Sequence, residues 1–260
     1  MLKILKYSFY DLIRSRWSYV YLLFYLVLGF VLLFLNNDLS KAVITMMNVI
    51  IILVPLISTI FGVMYFYNSQ EFTELLLAQP ISRRSIFLGQ YLGVGLSLTI
   101  SLILGLGVPF LAYGLTQSSA IWDFVMLLVT GGFLTLIFTA LAFNIGIRNE
   151  NKIKGFGYAV LLWLFMAVIY DGLFLLSLII FEEYPLDTFS LIATLSNPID
   201  LSRTLILLKL DISALLGYTG AIFKSFFGTN TGVLVSATLL VSWTIIPVLT
   251  LLFKANRKDF

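Results

Sequence analysis

Residues 42–67 read AVITMMNVIIILVPLISTIFGVMYFY and contain no charged side chain. About 20 consecutive apolar residues are enough for a helix to cross the hydrocarbon core of a bilayer. The apolar residues form one continuous block and do not alternate with polar ones, as they would in a strand of a membrane β-barrel. The stretch therefore predicts a transmembrane helix whose backbone hydrogen bonds are made within the helix.

Five further apolar blocks flank this one, at residues 17–35, 86–114, 121–147, 155–181 and 232–253. Hydrophobic residues make up 60% of the 260 positions and charged residues 11%, and the mean hydropathy is +1.03. Such a chain is too apolar to form a water-soluble domain. We predict an all-α integral membrane protein with six transmembrane helices in a single domain, residues 1–260, and with both termini on one side of the membrane.

Basic residues lie mostly at the termini and in the loops that follow even-numbered membrane blocks. These residues are Lys3, Lys6, Arg14, Arg16, Arg83, Arg84, Arg148, Lys152, Lys154, Lys254, Arg257 and Lys258. The opposite side has Lys41, Arg203, Lys209 and Lys224. By the positive-inside rule, both termini are predicted to be cytoplasmic. We expect a multi-pass protein of the bacterial inner membrane that keeps its first helix, with the lipid bilayer and not nucleic acid as a partner.

The chain contains neither cysteine nor histidine. This composition excludes disulfides, thiolate or imidazole metal sites, and hydrolases that need a histidine base or a histidine zinc ligand. The sequence also lacks the phosphate-binding pattern G-x-x-x-x-G-K-[ST]. We therefore predict a protein that is not an enzyme, binds no cofactor or metal, and receives any ATP-derived energy from a separate subunit.

Residues 1–16 precede the first membrane block. Apolar residues recur there at helical spacing, at Leu2, Leu5, Phe9, Leu12 and Ile13. Charged residues fall between them, so the pattern predicts an amphipathic helix that lies in the cytoplasmic interface of the membrane. Two roles fit this helix, an anchor that sets the topology and a mechanical elbow.

Residues 68–85 join the second and third membrane blocks and include SQEFTELLLAQPISRR at positions 69–84. Glu71 and Glu74 suit the first turn of a short helix, where the helix dipole favours carboxylates. Phe72, Leu75 and Leu76 are predicted to form its apolar side. Such a helix suits docking into a groove of a soluble ATPase domain, and the alternative is an ordinary charged loop.

After this helix, Pro80 is predicted to end it and Ser82 to cap the third membrane helix. The glutamate-rich start, the leucine-rich turn and the Pro-x-Ser-Arg ending resemble the coupling helix of ABC exporter permeases of the second type. The resemblance implies a homodimer of permeases, each resting on a separate ATPase subunit that binds ATP and Mg. The residues that it implies for coupling to the ATPase are Glu71, Phe72, Glu74, Leu75, Arg83 and Arg84.

Small residues repeat every fourth position along the third membrane block. They are Gly89, Gly93, Ser97, Ser101 and Gly105. Small side chains at this spacing let membrane helices approach closely. We predict a packing surface within the bundle, with a seam between two copies of the chain as the alternative.

Asp171 is an acidic residue well inside the fifth membrane block. A carboxylate at that depth requires a cavity, a polar partner or a neighbouring helix, or else is neutral. Asp171 is therefore a candidate functional group. The alternative is that the helix is shifted along its axis so that Asp171 lies at the outer interface.

Residues 182–231 form the longest hydrophilic interval and are predicted to be external. Asn197 and Pro198 suit the start of a helix, which the leucines at 201, 205 and 208 continue. A second amphipathic piece over 211–228 completes the predicted helical hairpin. The candidates for docking a periplasmic partner are Arg203, Tyr218, Phe223 and Phe226. The alternative is that these side chains pack on the membrane helices of the same chain.

Residues 197–221, NPIDLSRTLILLKLDISALLGYTGA, are similar to the outer segment of the NosY family of permeases. This resemblance implies copper-site maturation of nitrous oxide reductase during denitrification. It also implies a NosF-type ATPase, a periplasmic β-helical protein of the NosD type and a copper-chaperone lipoprotein as partners. Two other functions stay open, an ABC permease that exports lipid, peptide or drug, and an ATP-independent carrier or membrane scaffold.

The soft copper ligands in this sequence are thioethers such as those of Met46, Met47 and Met64. Scattered methionines are typical of apolar packing. We therefore expect that bare copper is not passed along side chains. The alternatives for the exported species are a copper species, a sulfur species, or a mechanical signal to an outer partner.

Overall fold

The computed structural model describes residues 1–36, 38–118, 120–181, 184, 186–209 and 230–257. In this part of the chain all regular secondary structure is helical. Six of the helices are long and apolar enough to cross a membrane. The predicted fold class, an all-α membrane protein with six membrane helices, is confirmed for these residues.

The membrane helices follow the apolar blocks of the sequence. They are α2 (Arg16–Leu35), α3 (Leu39–Asn68), α5 (Arg83–Ala112), α6 (Ile121–Arg148), the continuous pair α7 (Lys152–Leu164) and α8 (Tyr170–Ile180), and α11 (Asn230–Arg257). Both α3 and α5 have 30 residues. At 1.5 Å per residue each is about 45 Å long, which exceeds the hydrocarbon core of about 30 Å. Parts of α3 and α5 therefore extend beyond the apolar layer.

The described residues also form four shorter α-helices, α1 (Leu2–Arg14), α4 (Gln70–Leu77), α9 (Asp187–Ser196) and α10 (Pro198–Lys209). The helix α4 joins α3 to α5. Both α9 and α10 belong to the interval predicted to be external, and the sequence pattern did not reveal α9. The second piece of the predicted hairpin, with Tyr218, Phe223 and Phe226, lies outside the described residues.

The centre of the bundle consists of α3, α5 and α6, which pack against one another. Each of these helices buries more than half of its membrane segment. The outer helices α2 and α11 pack on this centre, and α7 packs on α3 and α6. The continuous helix Lys152–Ile180 buries only 11% of its membrane segment. Most of its apolar surface therefore faces away from the described chain.

The stripe of small residues on α5 is a packing surface within the chain, as predicted. A Cβ atom at Gly93 would lie 2.6 Å from the Ser8 Cβ, and one at Gly105 would lie 2.8 Å from the Tyr25 Cβ. The Ser101 hydroxyl lies 3.4 Å from the Ser18 hydroxyl. The stripe therefore receives α1 along its first half and α2 along its second half.

The helix α1 is present, and the side that it buries overlaps the predicted apolar side. Leu12 is buried and Leu5, Phe9 and Ile13 are partly buried, whereas Leu2 is 77% exposed. Ile4 and Ser8 are also buried, because α1 packs lengthwise on α5, where the small stripe accepts Ser8 next to Ile4. The placement of α1 in the membrane interface stays a prediction.

Candidate functional site

The short helix α4 is held firmly to two neighbouring helices through its inner face. Leu76 packs with Ile4 of α1 and Ile86 of α5. The Phe72 ring stacks on the Tyr7 ring, with 4.5 Å between the ring centroids. These contacts connect α4 to α1 and α5 by buried apolar surface, which favours movement of the three helices as one unit.

A buried polar contact strengthens this attachment. The Thr73 hydroxyl donates to the Ser69 carbonyl at 2.7 Å and accepts from the Gln90 Nε2 at 2.8 Å. Both Thr73 and Gln90 are buried. Since each side chain satisfies the other, the junction of α4 with α5 contains a specific hydrogen bond as well as apolar contact.

The outer face of α4 carries Glu71, Glu74 and Leu75, all of which are exposed. Leu75 is 68% exposed, so of the predicted apolar side the chain's own contacts cover Phe72 in part and Leu76 fully, but not Leu75. At about 100° per residue, Leu75 follows Glu71 by slightly more than one turn and lies on the same face. The result is an exposed leucine next to two exposed carboxylates.

The predicted basic pair lies at the start of α5. Arg83 is partly buried and Arg84 is exposed. With the Asn256 side-chain oxygen turned towards it, Arg84 donates from Nε and Nη2 at 2.8 and 3.0 Å. Ser82 occupies the predicted position before α5, but its hydroxyl donates to the Ser85 hydroxyl at 2.8 Å and makes no capping bond to the backbone. Arg84 therefore connects the first turn of α5 to the end of α11.

The loop between α6 and α7 also packs at this end of the bundle. The Tyr67 hydroxyl of α3 donates to the Asn149 carbonyl at 2.7 Å. The Asn151 side chain caps α7 by accepting from the amides of Ile153 and Lys154 at 2.9 and 3.3 Å. This loop is therefore fixed to the last turn of α3, directly before α4.

A second polar cluster connects α8 to α10. It brings together Asp171 and Arg203, which were predicted from the sequence as separate candidates. Arg203 Nη1 donates to Asp171 Oδ2 at 3.0 Å and lies 3.5 Å from Asp200 Oδ1. Asp171 thus has a polar partner, which is one of the surroundings predicted for it. Because Arg203 is paired within its own chain, its surroundings favour packing on the membrane helices over docking of an outer partner.

Asn197 completes this second cluster. Its oxygen accepts from the Ile199 amide at 3.0 Å, which confirms the predicted cap of α10. Its Nδ2 donates to Asp200 Oδ2 at 3.0 Å and to the Met166 carbonyl at 2.8 Å. Met166 belongs to the π-helical turn Phe165–Ile169 between α7 and α8. A π-helical turn disturbs the regular pairing of carbonyls, which makes one available to a neighbouring side chain.

The side chain of Asp200 is only 10% exposed. Burial raises its pKa from 3.8 to about 6, with a further contribution from Asp171, against the opposing effects of Arg203 and Asn197. In the part of the chain that the structure describes, no group of three or more acidic side chains is arranged to hold a metal ion.

Two curated relatives share sequence with the chain. It is 30% identical over 146 residues to the probable ABC transporter permease protein NosY of Pseudomonas aeruginosa, and the match covers 54% of this chain and 53% of the relative. It is 24% identical over 189 residues to the protein of the same name from Stutzerimonas stutzeri, with 66% of this chain and 68% of the relative covered. The chain is similar to NosY permeases of ABC transporters. No protein-family model matches it.

The match with the P. aeruginosa protein spans about half of that relative's length. Both relatives are named as permeases, and this chain has six apolar helices of membrane-spanning length. Together these findings support an ABC permease in a multi-pass membrane protein. The predicted resemblance to NosY is confirmed.

Several residues around the two clusters of this NosY-like permease were not recognised as site residues in the sequence. Thr73 and Gln90 stabilise α4 through a contact between residues 17 positions apart. Asp200 joins Asp171 and Arg203 through side-chain contacts between α10 and α8. A local signal existed only for Asn197, because an Asn-Pro pair is a typical helix start.

Proposed function

We propose that this NosY-like chain is the membrane-spanning subunit of an ATP-driven transporter in the bacterial inner membrane, and that a separate ATPase docks on the outer face of α4. The observation that carries the proposal is the division of α4 into an anchored face and an exposed face with Glu71, Glu74 and Leu75. A soluble partner would bury Leu75 in an apolar pocket and pair basic side chains with the two carboxylates.

The contacts of α4 provide a path by which ATP-driven motion would reach the membrane helices. A push on α4 acts on α1 through Ile4 and Tyr7, and on α5 through Ile86 and Gln90. In the proposed homodimer, each of two ATPase subunits would act on one α4. Their closure on ATP would then shift α1 and α5 of both copies, with both termini and α4 on the cytoplasmic side.

We further propose that the transporter serves maturation of nitrous oxide reductase, with a NosF-type ATPase and a NosD-type periplasmic protein as partners. The similarity to NosY supports this assignment. Met46 and Met47 are buried in the helix core, with 0% and 2% exposure. Their burial among the core side chains supports the proposal that copper is not passed between these thioethers.

Affinity purification of the tagged chain from its native host in mild detergent tests the proposed docking. Mass spectrometry should identify an ATPase with a phosphate-binding loop in the wild-type complex. Glu71→Lys combined with Glu74→Lys should remove it by reversing the charge of the docking face. Glu150→Lys is the matched control, since Glu150 is an exposed acid on the other loop at this end.

Equal recovery of the ATPase with the double variant and the wild type would overturn docking at α4. Recovery of the chain without any ATPase, under conditions that preserve other ABC transporters, would favour an ATP-independent carrier or scaffold. An ATPase without a NosD-type protein would leave a transporter of lipid, peptide or drug as the better assignment.

A further inference from the structure

A cleft of about 460 Å³ lies between α6, α7 and α11, separate from the docking face and from the cluster around Arg203. Its walls are mainly apolar. The apolar lining includes Leu141, Ile145, Leu162, Leu239, Trp243 and Ile246. Both α7 and α11 pack on α6, and the cleft is the gap that remains between them.

One end of this cleft is positively charged. Arg148, at the end of α6, and Lys254, near the end of α11, both line it. No carboxylate among the described residues forms a salt bridge with either of them. The two positive charges repel each other, so an anion placed between them would relieve the repulsion.

Lys254 is fixed at this end by an uncharged partner. Its Nζ donates to Asn144 Oδ1 at 2.7 Å. Asn144 in turn donates to the carbonyls of Ala140 and Pro247 at 2.9 and 2.7 Å. The amide therefore orients the ammonium group without neutralising it, and Lys254 keeps donors for a further acceptor.

The cleft is long enough for an acyl chain of one lipid leaflet. Its wall on α11 extends from Leu239 to Lys254, about 22 Å at 1.5 Å per residue, and the part from Trp243 to Lys254 is about 16 Å long. Half of a hydrocarbon core is about 15 Å thick. An apolar slot of this length with basic residues at the end nearest the chain termini has the form of membrane sites that bind anionic headgroups between helices.

We propose that the cleft is a binding site for an anionic phospholipid, with the phosphate between Arg148 and Lys254 and an acyl chain along α11 as far as Trp243. The lipid would fill the gap between α7 and α11. It would thereby support α7, whose membrane segment is otherwise sparsely packed. The proposal is independent of which ATPase or cargo the permease has.

Native mass spectrometry of the full chain in detergent, titrated with phosphatidylglycerol or phosphatidylcholine, tests this site. The wild type should retain phosphatidylglycerol in preference to phosphatidylcholine. Each basic residue near an anionic lipid contributes about a fivefold gain in affinity, so Arg148→Gln with Lys254→Gln should weaken phosphatidylglycerol binding about 30-fold. Arg257→Gln is the matched control, because Arg257 is exposed near the same end of α11 but does not line the cleft.

A second measurement locates the acyl chain. The substitutions Trp17→Phe, Trp122→Phe and Trp163→Phe leave Trp243 as the single tryptophan. In this variant, brominated phosphatidylglycerol should quench the Trp243 fluorescence more than brominated phosphatidylcholine does. The difference should vanish when Arg148→Gln and Lys254→Gln are added. Equal retention and equal quenching by both lipids would overturn the proposal. So would a double variant that binds phosphatidylglycerol like the wild type, or inorganic phosphate that displaces the lipid completely.

Discussion

Replacing Asp200 by asparagine should make the docking of α10 on the bundle independent of pH. Burial raises the pKa of the Asp200 carboxyl from 3.8 to about 6. Because the carboxyl has a higher pKa in the folded state than in the unfolded state, binding of its proton stabilises the fold. This contribution is complete below pH 3.8 and is lost as the pH rises through about 6. Between about pH 5 and about pH 7.5 the free energy that holds α10 on the bundle therefore falls by about 1.4 kcal/mol, the equivalent of about one pKa unit. The opening equilibrium of α10 should therefore be about tenfold smaller at the lower pH.

Hydrogen exchange of the α10 amides, corrected for the intrinsic rate at each pH, measures this opening in detergent micelles. In the wild type, the α10 amides should exchange more slowly at the lower pH. In Asp200→Asn, they should be equally protected from exchange at both pH values. Asp187→Asn alters an exposed carboxylate on α9 and should keep the wild-type pH dependence. A wild type without pH dependence, or an Asp200→Asn protein that retains it, would refute the explanation by burial of this carboxyl.

Two further substitutions test the packing of the bundle. Gly93→Leu should lower the Tm in detergent, because even a Cβ at this position would lie 2.6 Å from the Ser8 Cβ. Overpacking of this kind destabilises the folded state by about 1–3 kcal/mol. Gly107→Leu is the control and should leave the Tm unchanged, because there is open space around its Cβ. Asn144→Leu should also lower the Tm by removing the partner of Lys254 and leaving buried carbonyls unpaired, at a cost of about 1–3 kcal/mol. Asn144→Asp should lower the Tm less, because it keeps an acceptor for Lys254. Equal Tm values for Gly93→Leu and Gly107→Leu, or for Asn144→Leu and Asn144→Asp, would contradict the described contacts.

The membrane helices could be predicted from the sequence because length and hydropathy alone define them. The blocks at 42–67 and 121–147 became α3 and α6 with ends shifted by a few residues. The small stripe was also predictable, since glycine and serine at every fourth position favour close helix packing wherever the partner lies. The sequence did not indicate that α1 and α2 share this stripe, because that choice depends on how the helices associate.

Helix faces and distant pairs were harder to predict. The helix α4 was correctly expected, but helical spacing alone did not show that α1 and α5 cover Leu76 and leave Leu75 at the edge of the apolar side exposed. A polar partner was one of several surroundings expected for Asp171, and that partner, Arg203, lies 32 residues further along the chain. No local pattern connects them, and their pairing depends on Asn197 fixing the start of α10 to the π-helical turn.

The central claim is that the exposed face of α4 receives the ATPase, and thiol cross-linking in native membranes tests it most directly. The wild-type chain has no cysteine, so Leu75→Cys introduces a single thiol on that face, and Leu76→Cys introduces one on the buried face of the same helix turn. With a short thiol-directed photo-cross-linker, Leu75→Cys should join to an ATPase that contains a phosphate-binding loop, and Leu76→Cys should not. Absence of ATPase from the Leu75→Cys product, or equal yields from both positions, would contradict docking at this face.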